Sequence, residues 1–138
     1  MQADASAGGW RPTAAFVARL IFAGVFALAL WFKLIGMGQT AQYIASAGFP
    51  APMLLAWLAA IFELLLVLAF LTGAWFTEAC LLAAIYVIFL GFTFHGPAHW
   101  EGNQAEFGFF IDHFTFLAGL LFAACYGPGA FAMRRGRL

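Results

Sequence analysis

Four long apolar stretches recur along the chain, at about residues 14–35, 51–72, 75–94 and 107–126, and each is bounded by glycine, proline or polar residues. At a rise of about 1.5 Å per residue, each is long enough as an α-helix to cross a hydrocarbon layer roughly 30 Å thick. None carries the polar stripe of a helix that packs on one side and faces water on the other. The first stretch exceeds the core of a signal peptide, and no small-residue cleavage site follows Trp31, Phe32 and Lys33, so it reads as an uncleaved helix. Gly36, Gly38, Gln39, Thr40 and Gln42 then interrupt the apolar run, and Gly48, Pro50 and Pro52 set a turn. Residues 39–47 are too short to cross and predict a brief extramembrane helix ended by Gly48. Gly73 makes a tight connection, and a polar segment at 95–106 separates the last two stretches. The expected fold is all-α: an integral membrane four-helix bundle, one transmembrane domain over 1–138, with a short helical segment between the first two spans. No internal repeat suggests an inverted-repeat transporter.

Composition strengthens this reading. Of 138 residues, 65% are hydrophobic and only 9% charged, too few for a domain this short to present a polar surface to water. The expected location is the bacterial inner membrane, as a multi-pass protein whose main partner is the lipid bilayer. Six basic and six acidic residues cancel, and no basic run can follow a phosphate backbone, which excludes nucleic acid as a partner. Cys80 and Cys125 fit neither a disulfide framework nor a CxxC metal site. Antiparallel neighbours would bring both thiols to one membrane face, but inert packing is the simpler account.

The distribution of charge orients the chain. Arg11 and Arg19 lie before or early in the first span, Arg134, Arg135 and Arg137 follow the last, and the 36–52 and 95–106 loops contain no Lys or Arg. Excess cation on the cytoplasmic side places both termini inside.

Ionisable residues within the spans are the candidates for chemistry, because each costs at least about 2.5–3.5 kcal/mol at mid-membrane unless it finds a partner or a use. Arg19 is placed to snorkel to the inner headgroups. Glu63, near the middle of the second span, is too short to do so; it needs a cation, a proton or a polar cavity. Arg19 approaches it from the inner side and Lys33 from the outer side, and Arg19 is the favoured partner in a structural ion pair. Lys33, His95, Asp112 and His113 share one depth in the expected outer half and, with Glu63, form the candidate ligand site. A Lys33–Asp112 salt bridge and a histidine bonded to a carbonyl would account for that cluster structurally. A quinone headgroup held by His and Lys donors, with Asp112 or Glu63 exchanging protons, would account for it functionally. A metal on His95, His99 and His113 with Glu101 or Glu106 is the weakest option, since Pro97 interrupts the first pair and no HExxH pattern is present. The site is therefore read without metal, and the catalytic residues are unassigned.

Several segments together resemble the DoxX family: Ala18-Arg19-Leu20 and Lys33 in the first span, Tyr43-Ile44-Ala45-Ser46-Ala47-Gly48-Phe49-Pro50 in the loop, and Leu58-Ala59-Ala60-Ile61-Phe62-Glu63-Leu64 in the second. Phe92-Thr93-Phe94-His95 and Gly127-Pro128-Gly129 extend the likeness over about residues 14–130. The resemblance implies a small four-helix bacterial membrane protein, with relatives linked to thiosulfate oxidation with quinone and to a membrane complex in oxidative-stress defence. Arg19, Lys33, Glu63 and His95 match recurring polar positions of the family. Two departures stand out: Leu65 to Leu68 where the family often has glycine, and Asp112-His113 where it has Asn.

Two functions follow as expectations. One is a membrane subunit of a redox system that binds quinone or a soluble oxidoreductase partner, with no intrinsic cofactor. The alternative is a non-enzymatic accessory subunit that stabilises a larger membrane complex. The orientation has its own test: a C-terminal reporter that works only in the cytoplasm should be active, and activity of a periplasm-dependent reporter instead would reverse the topology.

Overall fold

The computed structural model describes residues 9–133, which leaves Arg134, Arg135 and Arg137 of the orientation argument outside the described residues. The helices are α1 (Arg11–Ile35), α2 (Met37–Ser46), α3 (Pro52–Thr72), α4 (Phe76–His95) and α5 (Gln104–Tyr126), with a single 3-10 turn at Pro97–His99. Four of them are long and apolar enough to cross a membrane, and no strand occurs among the described residues. The all-α membrane fold read from the hydrophobic pattern is therefore present. Large apolar side chains such as Ile21, Leu28, Leu65, Ile85 and Phe122 are more than half exposed, a surface that only lipid can solvate.

The short helix after the first span forms as α2, two residues earlier than expected. Gly36, at φ −140°, separates it from α1, and Gly48, in the left-handed region at φ +88°, follows its end. The first span also starts sooner than its apolar run, because Pro12 in the opening turn has the φ a helix start requires. Between Pro50 and Pro52, Ala51 adopts a left-handed conformation at φ 46°. A proline disfavours the right-handed helical region for the residue before it, which makes Ala51 the hinge into α3.

The helices fall into two compact units, residues 9–76 with 128–133, and residues 77–127. In the first, α1 and α3 pack antiparallel, as their contacts require: Arg19 near the start of α1 meets Leu71 near the end of α3, and Lys33 near the end of α1 meets Glu63. Ala23, Ala56 and Ala60 are almost fully buried, and small side chains let membrane helices approach closely. Phe70 is the centre of the apolar core: its ring stacks on Phe26 at 5.8 Å and meets Phe22 at 5.4 Å and Phe76 edge-on at 5.8 Å.

In the second unit α4 and α5 form a hairpin closed by the 3-10 turn. Trp100 Nε1 donates to the His95 carbonyl at the end of α4 (2.7 Å), and the Trp100 ring packs edge-on against Phe107 and more obliquely against Phe110 of α5. Gly91 brings the two helices together, since a Cβ there would sit 3.0 Å from the Cβ of His113.

Gly73 ends α3 in a left-handed conformation at φ +77°, and a Cβ on it would lie 2.5 Å from the Ala132 Cβ and 2.6 Å from Arg19 Nη1. Gly73→Ala should therefore lose at least about 1–3 kcal/mol from backbone strain alone. The expected result is a lower midpoint of thermal denaturation in mild detergent, while Gly24→Ala, where a Cβ meets nothing within 4 Å, should be neutral or slightly stabilising.

Candidate functional site

Three groups of polar side chains stand out, two in the first unit and one in the second. Arg19 is 1% exposed, so it does not snorkel. Its Nη2 donates to the Leu71 carbonyl (3.1 Å), and its Nη1 donates to the carbonyls of Phe131 (3.0 Å) and Pro128 (3.2 Å). The guanidinium also lies over the Phe16 ring, 5.5 Å from its centroid. Leu71 is in the last turn of α3, where carbonyls lack helical partners and carry the negative end of the helix dipole. A planar cation with several fixed donors suits that end better than an ammonium would.

Glu63 is paired with Lys33, not with Arg19: Lys33 Nζ donates to Glu63 Oε1 at 2.8 Å. Side-chain direction explains the correction. Helical side chains lean toward the N-terminus of their own helix. Arg19 thus leans toward the start of α1, away from Glu63, whereas Lys33 leans inward along α1. In the antiparallel α3, Glu63 leans back toward Lys33. Leu71 lies eight residues beyond Glu63, roughly 12 Å farther along α3, which is the level Arg19 reaches. The Glu63 side chain is 2% exposed and that of Lys33 19%, so the pair is open on the lysine side only.

The third group lies where α4 meets α5. His95 Nδ1 and Glu106 Oε2 are 2.6 Å apart, and the His95 and His113 ring centroids are separated by 5.1 Å. His113 Nδ1 donates to the Phe109 carbonyl at 2.6 Å, since a carbonyl can only accept. Phe109 packs edge-on against His95 at 5.4 Å. Asp112 stands apart from this group. It is exposed on another face of α5, since successive helical positions are turned by about 100°, and it makes no hydrogen bond or ion pair among the described residues. The expected salt bridge between Lys33 and Asp112 is replaced by the Lys33–Glu63 pair. His99 and Glu101 are exposed, and no three His, Cys, Asp or Glu side chains are grouped to hold a metal among the described residues. Cys80 is buried and Cys125 exposed, both as free thiols.

In the sequence Glu106 stands out only as a candidate metal ligand. Its acidic side chain in the first turn of a helix, eleven residues after a histidine that ends the preceding one, is the pattern of a hairpin that brings the two together. The carbonyl partners of Arg19 had no comparable signal.

The family model for DoxX matches residues 14–96. The chain belongs to the DoxX family. Two curated relatives from Escherichia coli (strain K12) agree: the inner membrane protein YphA is 30% identical over 137 residues, covering 93% of each chain. The inner membrane protein YqjF is 31% identical over 119 residues, covering 86% of this chain and 88% of the relative. No solved structure matches the chain. With four membrane-spanning helices and inner-membrane relatives, this DoxX protein is a multi-pass protein of the bacterial inner membrane. The matched DoxX region contains Arg19, Lys33, Glu63 and His95, whereas Glu106, Asp112 and His113 lie beyond it.

Replacing Lys33 takes away the cation that balances the buried Glu63 carboxylate. Lys33→Met should destabilise the protein by about 3 kcal/mol, the lower part of the range for breaking a buried pair because Lys33 keeps some exposure. Adding Glu63→Leu should restore much of that loss. Thermal denaturation of the single and double variants in detergent provides the comparison.

Proposed function

We propose that this DoxX protein is the membrane subunit of a redox system and that the His95, His113 and Glu106 group receives the headgroup of a quinone. The observation that carries the reading is the fixation of both imidazoles at Nδ1, one by Glu106 and the other by the Phe109 carbonyl, each at 2.6 Å. Both rings are then held in place with Nε2 as the remaining nitrogen. With Nδ1 protonated, Nε2 of a neutral ring accepts a hydrogen bond from a hydroquinone hydroxyl; in the imidazolium form it donates to a quinone carbonyl. A carboxylate on Nδ1 orients the ring and fixes which nitrogen is left to face a ligand. The donor set therefore suits an oxygen-bearing headgroup that gains and loses protons.

A quinone supplies two-electron, two-proton chemistry and reaches its site through the bilayer, consistent with a group at the end of two membrane helices. The electrons belong to a partner oxidoreductase carrying its own cofactor, since the chain has no recognisable motif for haem, flavin or nicotinamide. In this reading the chain positions the headgroup and handles its protons at His95 and Glu106. The Lys33–Glu63 pair holds α1 to α3, and Arg19 holds the ends of the first unit.

Protein purified in mild detergent, extracted with organic solvent and measured by mass spectrometry should release bound quinone. His95→Gln and His113→Gln should each lower the occupancy about tenfold at a fixed quinone concentration, the effect of losing one headgroup hydrogen bond. Absence of quinone from the wild-type protein, together with an unchanged quinone reductase rate of a co-purifying partner in both variants, would reject the proposal. Retained assembly with that partner would then favour an accessory subunit.

A further inference from the structure

The end of the first unit where α1 starts and α3 stops carries positive charge that neither the ion pair nor the histidine group uses. The described part of this unit holds a single carboxylate, Glu63, and Lys33 is paired with it. Arg19 is buried among carbonyls, and its Nε has no hydrogen-bond acceptor among the described residues. Arg11 stands in the first turn of α1, and the sequence after Met133 reads Arg134-Arg135-Gly136-Arg137. The point from which that run departs is fixed. Met133 N–H donates to the Thr72 carbonyl at 2.9 Å, the Phe131 ring packs edge-on against Phe16, and Arg19 grips the Pro128 and Phe131 carbonyls. Thr72 is the last residue of a helix that just spans the hydrocarbon core, which puts Met133 at the membrane surface. Four residues of chain reach no farther than about 14 Å from it. Trp10, Trp75, Phe131 and Met133 are all exposed at this same end. Trp75 is so from the left-handed region, at φ 55°, and its indole makes no hydrogen bond or ring contact among the described residues.

We propose that this end binds anionic phospholipid, with phosphodiester headgroups taken by Arg11, Arg134, Arg135 and Arg137 and acyl chains lying along Trp10, Trp75 and Phe131. Charge complementarity selects the occupant. Guanidinium groups bind phosphate oxygens through paired N–H donors, and the buried Arg19 adds to the positive potential without offering a contact of its own. Glu78, which follows the unit by two residues, has both carboxyl oxygens buried and presents no competing anion at the surface. An acidic segment of a soluble protein would match the arginines but not the exposed aromatic side chains among them. A ligand that is anionic at one level and hydrocarbon at the next matches both, and indoles favour that boundary. Topology alone requires only that the cations stay on one side of the membrane. It does not require their point of departure to be held by Arg19 and Thr72, nor an exposed indole in a strained backbone beside them.

Full-length protein in mild detergent, mixed with equal amounts of phosphatidylglycerol and phosphatidylethanolamine and measured by native mass spectrometry, should retain the phosphatidylglycerol with a preference of about tenfold or more. Each cation near a charged lipid surface contributes about fivefold, so replacing Arg134, Arg135 and Arg137 together by Gln should remove most of that preference. The three corresponding Arg→Lys changes keep the charge and should stay within about threefold of the wild type. These positions follow the last helix, so helicity by circular dichroism should be the same in both variants. A Gly/Ser insert of about ten residues between Met133 and Arg134 releases the run from its fixed origin and should lower the preference about threefold. Equal retention of the two lipids by the wild type, or an undiminished preference in the glutamine or the insertion variant, would overturn the proposal. So would displacement of the lipid by millimolar inorganic phosphate, which would make a soluble anion the ligand.

Discussion

In a bilayer the backbone itself is a liability, because a carbonyl with no donor has no water to turn to. The end of α3 shows how this chain meets the constraint. Its last carbonyls have no helical partners, and the structure supplies donors from different parts of the chain. Gly73 N–H takes the Ala69 carbonyl, Arg19 takes that of Leu71, and the Met133 N–H takes that of Thr72. Arg19 also binds Phe131 and Pro128, so one guanidinium joins α1, the end of α3 and the segment after α5. Burying that cation is acceptable because carbonyl dipoles and the helix end surround it with negative potential. Gly73 is the steric counterpart, since any side chain would occupy the space of Arg19 and Ala132.

The same antiparallel packing decides the Lys33–Glu63 pair. Once Arg19 is committed to the end of α3, its lean toward the start of α1 takes it out of reach of Glu63, and Lys33 leans into the position from the other direction. The two cations of α1 thus serve different acceptors on one partner helix. Between them the contact is apolar and closely spaced, with buried alanines and the phenylalanines around Phe70.

The hairpin of α4 and α5 divides its chemistry between two faces. Toward α4, α5 presents Glu106 and His113, which meet His95 across the hairpin. Away from that face it presents Asp112 and Thr115, with no partner among the described residues. Asp112 and His113 are neighbours in sequence, but a helix turns successive residues by about 100°, so adjacency does not put them in one site. Much of this hairpin lies past the region that the DoxX model covers, and the departure from the family pattern at Asp112-His113 falls within it.

The hydrophobic pattern by itself determined the number, length and approximate ends of the membrane helices, because crossing a hydrocarbon layer requires about twenty consecutive apolar residues and little else. Glycines and prolines located α2 and its end for a similarly local reason: they restrict φ within one or two residues. The sequence also showed which polar residues needed explanation, Arg19, Lys33, Glu63, His95, Asp112 and His113, since a polar group within an apolar run is costly wherever the helix is placed. Which of them meet was a matter of tertiary structure. Pairing depends on rotation about each helix axis, on the lean of each side chain and on relative depth, quantities set by packing between helices and not encoded in any one of them. Arg19 found carbonyls that no side-chain inventory contains, Lys33 took the partner expected for Arg19, and Glu106 completed a histidine group across a turn.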